Sequence, residues 1–108
     1  MELKEFKKGN FLVINLFGRL DTSNSGELEK KIIEIIDGGE KAIVVDFSDL
    51  PYISSSGLRV LLMALKKITN SGGKFHLCNL KKNILEIFEI AGFNTIFRIF
   101  NTLDEAAQ

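Results

Sequence analysis

The run Ala42 to Phe47, AIVVDF, is apolar apart from Asp46 and β-branched at its centre. A strand with one solvated face alternates apolar and polar residues. A run without that alternation is covered on both faces, as in the middle of a parallel sheet. Parallel neighbours cannot be joined by a tight hairpin, so helices must cross over between them. The flanking sequence meets that demand: Leu28, Ile32, Ile35 and Ile36 recur at helical spacing within DTSNSGELEKKIIEIIDGG, before the run. After it, Leu58, Leu61, Leu62, Leu65 and Ile68 mark one helical face from Ser55 to about Asn70.

Punctuation residues place the boundaries. Asn24 and Glu27 stand at the spacing of a capping box, with Gly38-Gly39 as a stop, and Ser71-Gly72-Gly73 ends the second helix. SDLPYI, residues 48 to 53, reads as a loop in which Pro51 bars Leu50 from helical geometry. KFHLC (74 to 78) predicts a strand, Lys82 to Ala91 a third helix with Gly92 as left-handed cap, and IFRIF (96 to 100) a short strand. Thr102 with Glu105 can cap a last turn. At the start, residues 3 to 8 and 11 to 17 flank Gly9-Asn10, a pair suited to the positive φ of a hairpin turn. The expected order is β-β-α-β-α-β-α-β-α. It implies an α/β fold with a small mixed sheet, right-handed crossovers and helices mostly on one face.

The chain's 108 residues fit one domain, 1 to 108, with enough material for a single core. With 14 basic side chains against 14 acidic ones, it has no excess of positive charge for nucleic acid or anionic membrane. The apolar stretch near the N-terminus is short, partly alternating and without a small-residue cleavage site, so it reads as a strand rather than a signal peptide. No stretch approaches the roughly 18 apolar residues of a spanning helix. Cys78 is the only cysteine, which suits a reducing cytoplasm.

The densest chemistry lies in YISSSGLRVLL, Tyr52 to Leu62. A serine between strand and helix suggests a nucleophile, but the hydrolase elbow needs glycines two before and two after it, and for Ser55 those places hold Ile53 and Gly57. His76, the only histidine, sits in an apolar strand with no orienting carboxylate in evidence, as a structural imidazole does. His76 and Cys78 share a strand face, yet no second ligand pair completes a metal site, and no phosphate-binding glycine motif is present. No cofactor is implied. The plainest reading makes Ser54 the N-cap, puts Ser55 and Ser56 in the first turn, and has Gly57 permit close packing. A sharper one makes one hydroxyl a phosphate acceptor, since a helix N-terminus offers free N–H groups and the positive end of the dipole.

Three motifs, GRLD at 18 to 21, VVDFS at 44 to 48 and YISSSGLRVL at 52 to 61, together resemble the STAS domain of bacterial anti-sigma factor antagonists, over about Leu3 to Glu105. The resemblance implies a cytoplasmic regulator without catalysis of its own. Its partners would be a serine-kinase anti-sigma factor, which phosphorylates the antagonist and so blocks binding, and a metal-dependent serine phosphatase that reverses the modification. Aligned on Gly57, the phosphoacceptor falls on Ser55, and the aspartate usual before it falls on Ser54. The same resemblance adds the loop Asp21, Thr22 and Ser23 to the partner surface, beside Ser54, Ser56 and Gly57. Arg59, one turn after Ser55, is placed to pair with a phosphate. Met63, opposite the leucine face and near Lys66 and Lys67, is an adaptable contact for a partner. The alternative is a STAS module of another complex, in lipid transport or ligand sensing, indifferent to Ser55 phosphorylation.

Overall fold

The computed structural model describes residues 1–108. The elements run β1 (Glu2–Lys8), β2 (Phe11–Leu20), α1 (Ser25–Asp37), β3 (Ala42–Ile53), α2 (Ser55–Asn70), β4 (Lys74–Cys78), α3 (Lys82–Ile90), β5 (Arg98–Phe100) and α4 (Leu103–Ala106). A single 3-10 turn, Phe93–Thr95, follows α3. This is the expected order. β1 and β2 form the antiparallel hairpin, with Gly9 at φ +61° as the first of two turn residues.

One five-stranded sheet has the order β1-β2-β3-β4-β5, and every pairing after the first is parallel. Each crossover therefore steps the same way across the sheet. With right-handed connections, such steps put α1, α2 and α3 on one face. That face holds the main core, where Ile43, Val45, Phe47, Phe75 and Leu77 meet Leu28 and Ile32 of α1, Leu61 and Ile68 of α2, and Ile84 and Phe88 of α3. The opposite face carries a smaller cluster in which Phe11, Val44 and Cys78 pack against Ala106 of α4. The apolar run from Ala42 is thus buried on both sides, with Val44 turned toward α4 and its neighbours toward the crossover helices.

Three local expectations need correction. SDLPYI is not a loop: β3 continues through it to Ile53. Beyond Asp46 the strand pairs only with β2, because β4 has ended at Cys78, so Pro51 lies where one edge needs no N–H donor. Asn24 is the N-cap residue of α1 by position, but its side chain makes no cap bond. It turns back instead, accepting from the Asp21 N–H at 2.9 Å and donating to the Arg19 carbonyl at 2.7 Å. The last strand begins at Arg98 rather than Ile96, since Gly92 at φ +76° leads into the 3-10 turn first. The cap of α4 is as expected, with Thr102 Oγ1 accepting from the Glu105 N–H.

Candidate functional site

β2 and β3 are parallel neighbours that finish level with one another, Leu20 opposite Ile53, and the Ser54 N–H donates to the Leu20 carbonyl at 2.8 Å. Both strands then turn into helices. The consequence is that the loop from Asp21 to Ser23 and the first turn of α2 stand side by side at the C-terminal edge of the sheet, the usual place for a site in an open parallel sheet. Thr22 Oγ1 and Ser56 Oγ join the two segments at 3.3 Å. The GRLD and YISSSG motifs, some thirty residues apart in the chain, form one surface because of this register.

The three serines have separate surroundings. Ser54 has extended backbone, and its Oγ accepts from the Gly57 N–H at 3.2 Å, which makes it the N-cap of α2. Ser56 is half-buried and tied to Thr22. Ser55 is exposed, and neither of those bonds engages its hydroxyl. Gly57 is buried where a Cβ would come within 2.8 Å of both Ile53 Cγ1 and Leu20 Cγ. Its lack of a side chain lets the helix start directly against the strand ends.

Charge around this edge is arranged simply. Asp21 Oδ1 accepts from the Ser23 hydroxyl at 2.6 Å and from the Ser23 N–H at 3.0 Å. Those bonds, the hydroxyl first, with the nearby Arg19 charge, hold the Asp21 carboxyl below its ordinary range. The first turn of α2 contains no acidic residue. Arg59 is exposed one turn on, outside the four ion pairs of the molecule. Met63 is not wholly on the solvated side: it is half-buried, packs against the main core, and lines a groove with Ile33 and Leu62. Ile33 of α1 meets α2 there, so one methionine serves both core and surface.

Sequence reasoning missed Arg19 and Tyr52. They pair across β2 and β3, with the guanidinium carbon 4.0 Å from the ring centroid, just below Asp21 and Ser54. Both stand inside the two motifs, Arg19 in GRLD and Tyr52 at the head of YISSSGLRVL, but nothing in the chain marks them as a pair, since the register that stacks them depends on β3 continuing past Pro51. His76 and Cys78 lie apart from this edge. The His76 Nδ1–H donates to the Ala106 carbonyl at 2.8 Å, and burial, reinforced by Asp46, pushes the Cys78 thiol up to about 12. A thiol so held stays protonated and is a poor nucleophile or metal ligand.

Comparison with known proteins places this geometry in context. The family model described as the STAS domain matches residues 4–106. BtrV of Bordetella bronchiseptica, named as a candidate anti-sigma factor antagonist, is 38% identical over 107 residues, 99% of this chain and 92% of its own. Among solved structures, a candidate anti-sigma factor antagonist from Thermotoga maritima superposes with a TM-score of 0.92 at 23% identity, over 96% of this chain and 90% of that one. The phosphorylated form of the Bacillus cell fate determinant SpoIIAA superposes with a TM-score of 0.76 at 24% identity, over 97% and 96%.

Proposed function

The chain belongs to the STAS domain family, among the anti-sigma factor antagonists, and from that premise we propose that it is a binding module of the cytoplasm switched by phosphorylation of Ser55. The partner is a serine-kinase anti-sigma factor, sequestered by the unmodified antagonist so that the sigma factor is released. The kinase transfers the γ-phosphoryl of ATP to Ser55 Oγ, with ADP leaving and the hydroxyl proton lost, and a metal-dependent serine phosphatase hydrolyses the ester with water, releasing inorganic phosphate and restoring the hydroxyl. The antagonist itself catalyses nothing. The surface read by the partner comprises Asp21, Thr22, Ser23, Ser54, Ser56, Gly57, Arg59 and Met63.

One observation carries this reading: of three serines at one helix mouth, two are held by hydrogen bonds and Ser55 is exposed. Magnitudes say how the switch works. A phosphate at the N-terminus of α2 interacts favourably with the helix dipole, by about 0.3 to 1 kcal/mol, so it leaves the helix folded. Carrying nearly two negative charges into an interface without matched cations costs several kcal/mol, and each 2.8 kcal/mol is about 100-fold in affinity. The phosphate acts on binding rather than on the fold.

The test is incubation with ATP and candidate serine-kinase anti-sigma factors from the same organism, followed by mass spectrometry. Phosphate is expected on Ser55 and absent from Ser55→Ala; modification that survives Ser55→Ala overturns the assignment. Ser55→Asp is expected to keep the wild-type circular dichroism and melting temperature within a few degrees while losing the partner. A large loss of helicity in that variant would show that the switch acts through folding.

A further inference from the structure

Ser55, Arg59, Met63, Lys66 and Asn70 follow one another at intervals of four, four, three and four residues. On an α-helix they fall within an arc of ~80°, a stripe down the outer side of α2. All are exposed except Met63, which is half-buried. Grooves flank the stripe on both sides. One, of about 590 Å³, lies toward α1, between Ile33, Leu62 and Met63. The other, of about 450 Å³, lies toward the 3-10 turn, between Leu65, Thr69 and Ile96, the last of these 48% exposed. Lys66 and Asn70 border both.

The charge of this surface is one-sided in a chain whose total is balanced. α2 carries Arg59, Lys66 and Lys67 and no carboxylate along its whole length. Lys67 is paired with Asp37 of α1 at 3.1 Å, but neither Arg59 nor Lys66 takes part in an ion pair. A surface with two unpaired cations, a methionine between them and apolar grooves alongside is complementary to an acidic segment with an apolar side chain to insert.

The geometry points to the α2 stripe as the docking surface for an acidic, apolar-faced segment of the kinase partner, with Arg59 shared between that segment and the phosphate on Ser55. The inference rests on the phospho-switch reading and deepens it. In the unmodified protein Arg59 is free for the partner's carboxylates. In the phosphorylated protein the phosphate one turn away takes up Arg59 and repels the same carboxylates, so a single group both withdraws a cation and adds two negative charges where the segment must lie. Met63 and the grooves supply contact area that the phosphate does not alter, so phosphorylation should weaken docking at the Arg59 end of the stripe first.

The experiment has two arms on the intact chain. Calorimetric affinity for the kinase is measured with wild type, Arg59→Glu, Lys66→Glu and Lys4→Glu, the last an equal change of net charge on the remote edge strand. Arg59→Glu and Lys66→Glu are expected to weaken binding about tenfold or more at low salt, with the loss shrinking at high salt, and Lys4→Glu to stay within twofold. In steady-state phosphorylation Lys66→Glu should raise KM for the antagonist and leave kcat unchanged. In the second arm, phosphorus NMR titration of the phosphorylated protein should show the phosphoserine's second pKa rising in Arg59→Gln. Phosphorylation at Ser55 with salt-independent binding that Lys66→Glu does not weaken overturns the docking surface. Identical phosphorus titrations overturn the sharing of Arg59. A wild-type chain that is neither bound nor phosphorylated refutes the switch reading itself, and this inference with it.

Discussion

At Gly57 two opposing effects meet, and their sizes decide the outcome of a substitution. Alanine is favoured over glycine within a helix by about 1 kcal/mol. Against that, the added Cβ would sit 2.8 Å from Ile53 Cγ1 and from Leu20 Cγ, the latter the branch atom of its side chain, and both side chains are buried. Overpacking of this kind costs about 1 to 3 kcal/mol. Gly57→Ala is therefore expected to destabilise by roughly 1 kcal/mol net in urea unfolding, with an unchanged m-value. On the proposal that Ser55 is the phosphate acceptor, it should also slow phosphorylation, since relief of the clash moves the α2 N-terminus, and Ser55 with it, away from the loop at Asp21. An equal or higher midpoint for Gly57→Ala would mean that the strand ends yield without strain. Ser55, by contrast, is exposed, so a change of its side chain is expected to leave stability close to that of the wild type.

At the scale of the elements, α2 is held mainly by its buried face, Leu58, Val60, Leu61, Ala64 and Ile68, and its cap adds a separable contribution. Ser54→Ala removes the acceptor of the Gly57 N–H and is expected to lower stability by about 1 kcal/mol, whereas Ser54→Asp, an equally good cap with a favourable charge at the dipole, should hold or raise it. Thermal unfolding of the two variants separates capping from any effect on the kinase. The periodicity of Leu58 to Ile68 and the serines before it made this helix and its mouth legible from the residues alone. So too did the unalternating run of β3 and the hairpin at Gly9. What could not be read was where pairing continues. Pro51 is a sound local argument against a central strand, but it does not exclude an edge, and whether residue 51 has a neighbour on both sides depends on where β4 stops. The Arg19–Tyr52 stack was hidden for the same reason. Asn24 shows the other limit: its spacing to Glu27 fits a capping box, yet the loop's own Asp21 N–H and Arg19 carbonyl claim the side chain first.

At the scale of the whole molecule the two faces of the sheet are unequal. Three helices cover one, and only the short α4 covers the second, where it is held by Ala106 in the small cluster, by the Lys8–Asp104 ion pair and by His76. The imidazole lies between Phe11 and Phe100, with ring centroids 5.1 and 4.9 Å away, and is 6% exposed. Burial lowers its pKa, the bond to the Ala106 carbonyl opposes that, and the positive charges of Arg98 and Lys74 add to the lowering. Because the folded value lies below the ordinary one near 6.5, the unfolded chain takes up the proton first as pH falls. The contribution to stability is therefore complete above about pH 6.5 and declines below it, through the folded value. The expected observation is a urea midpoint that falls between pH 7.5 and 5.5 in the wild type, and falls less in His76→Asn, which keeps a donor near the Nδ1 position but does not titrate. Since carboxylates titrate mainly at lower pH, the difference between the two slopes isolates the imidazole. Amide exchange in α4 should rise over the same interval while α2 stays protected if the second face loosens before the main core. An equal pH slope in both proteins would remove His76 from the account and leave α4 held by packing and the Lys8–Asp104 pair.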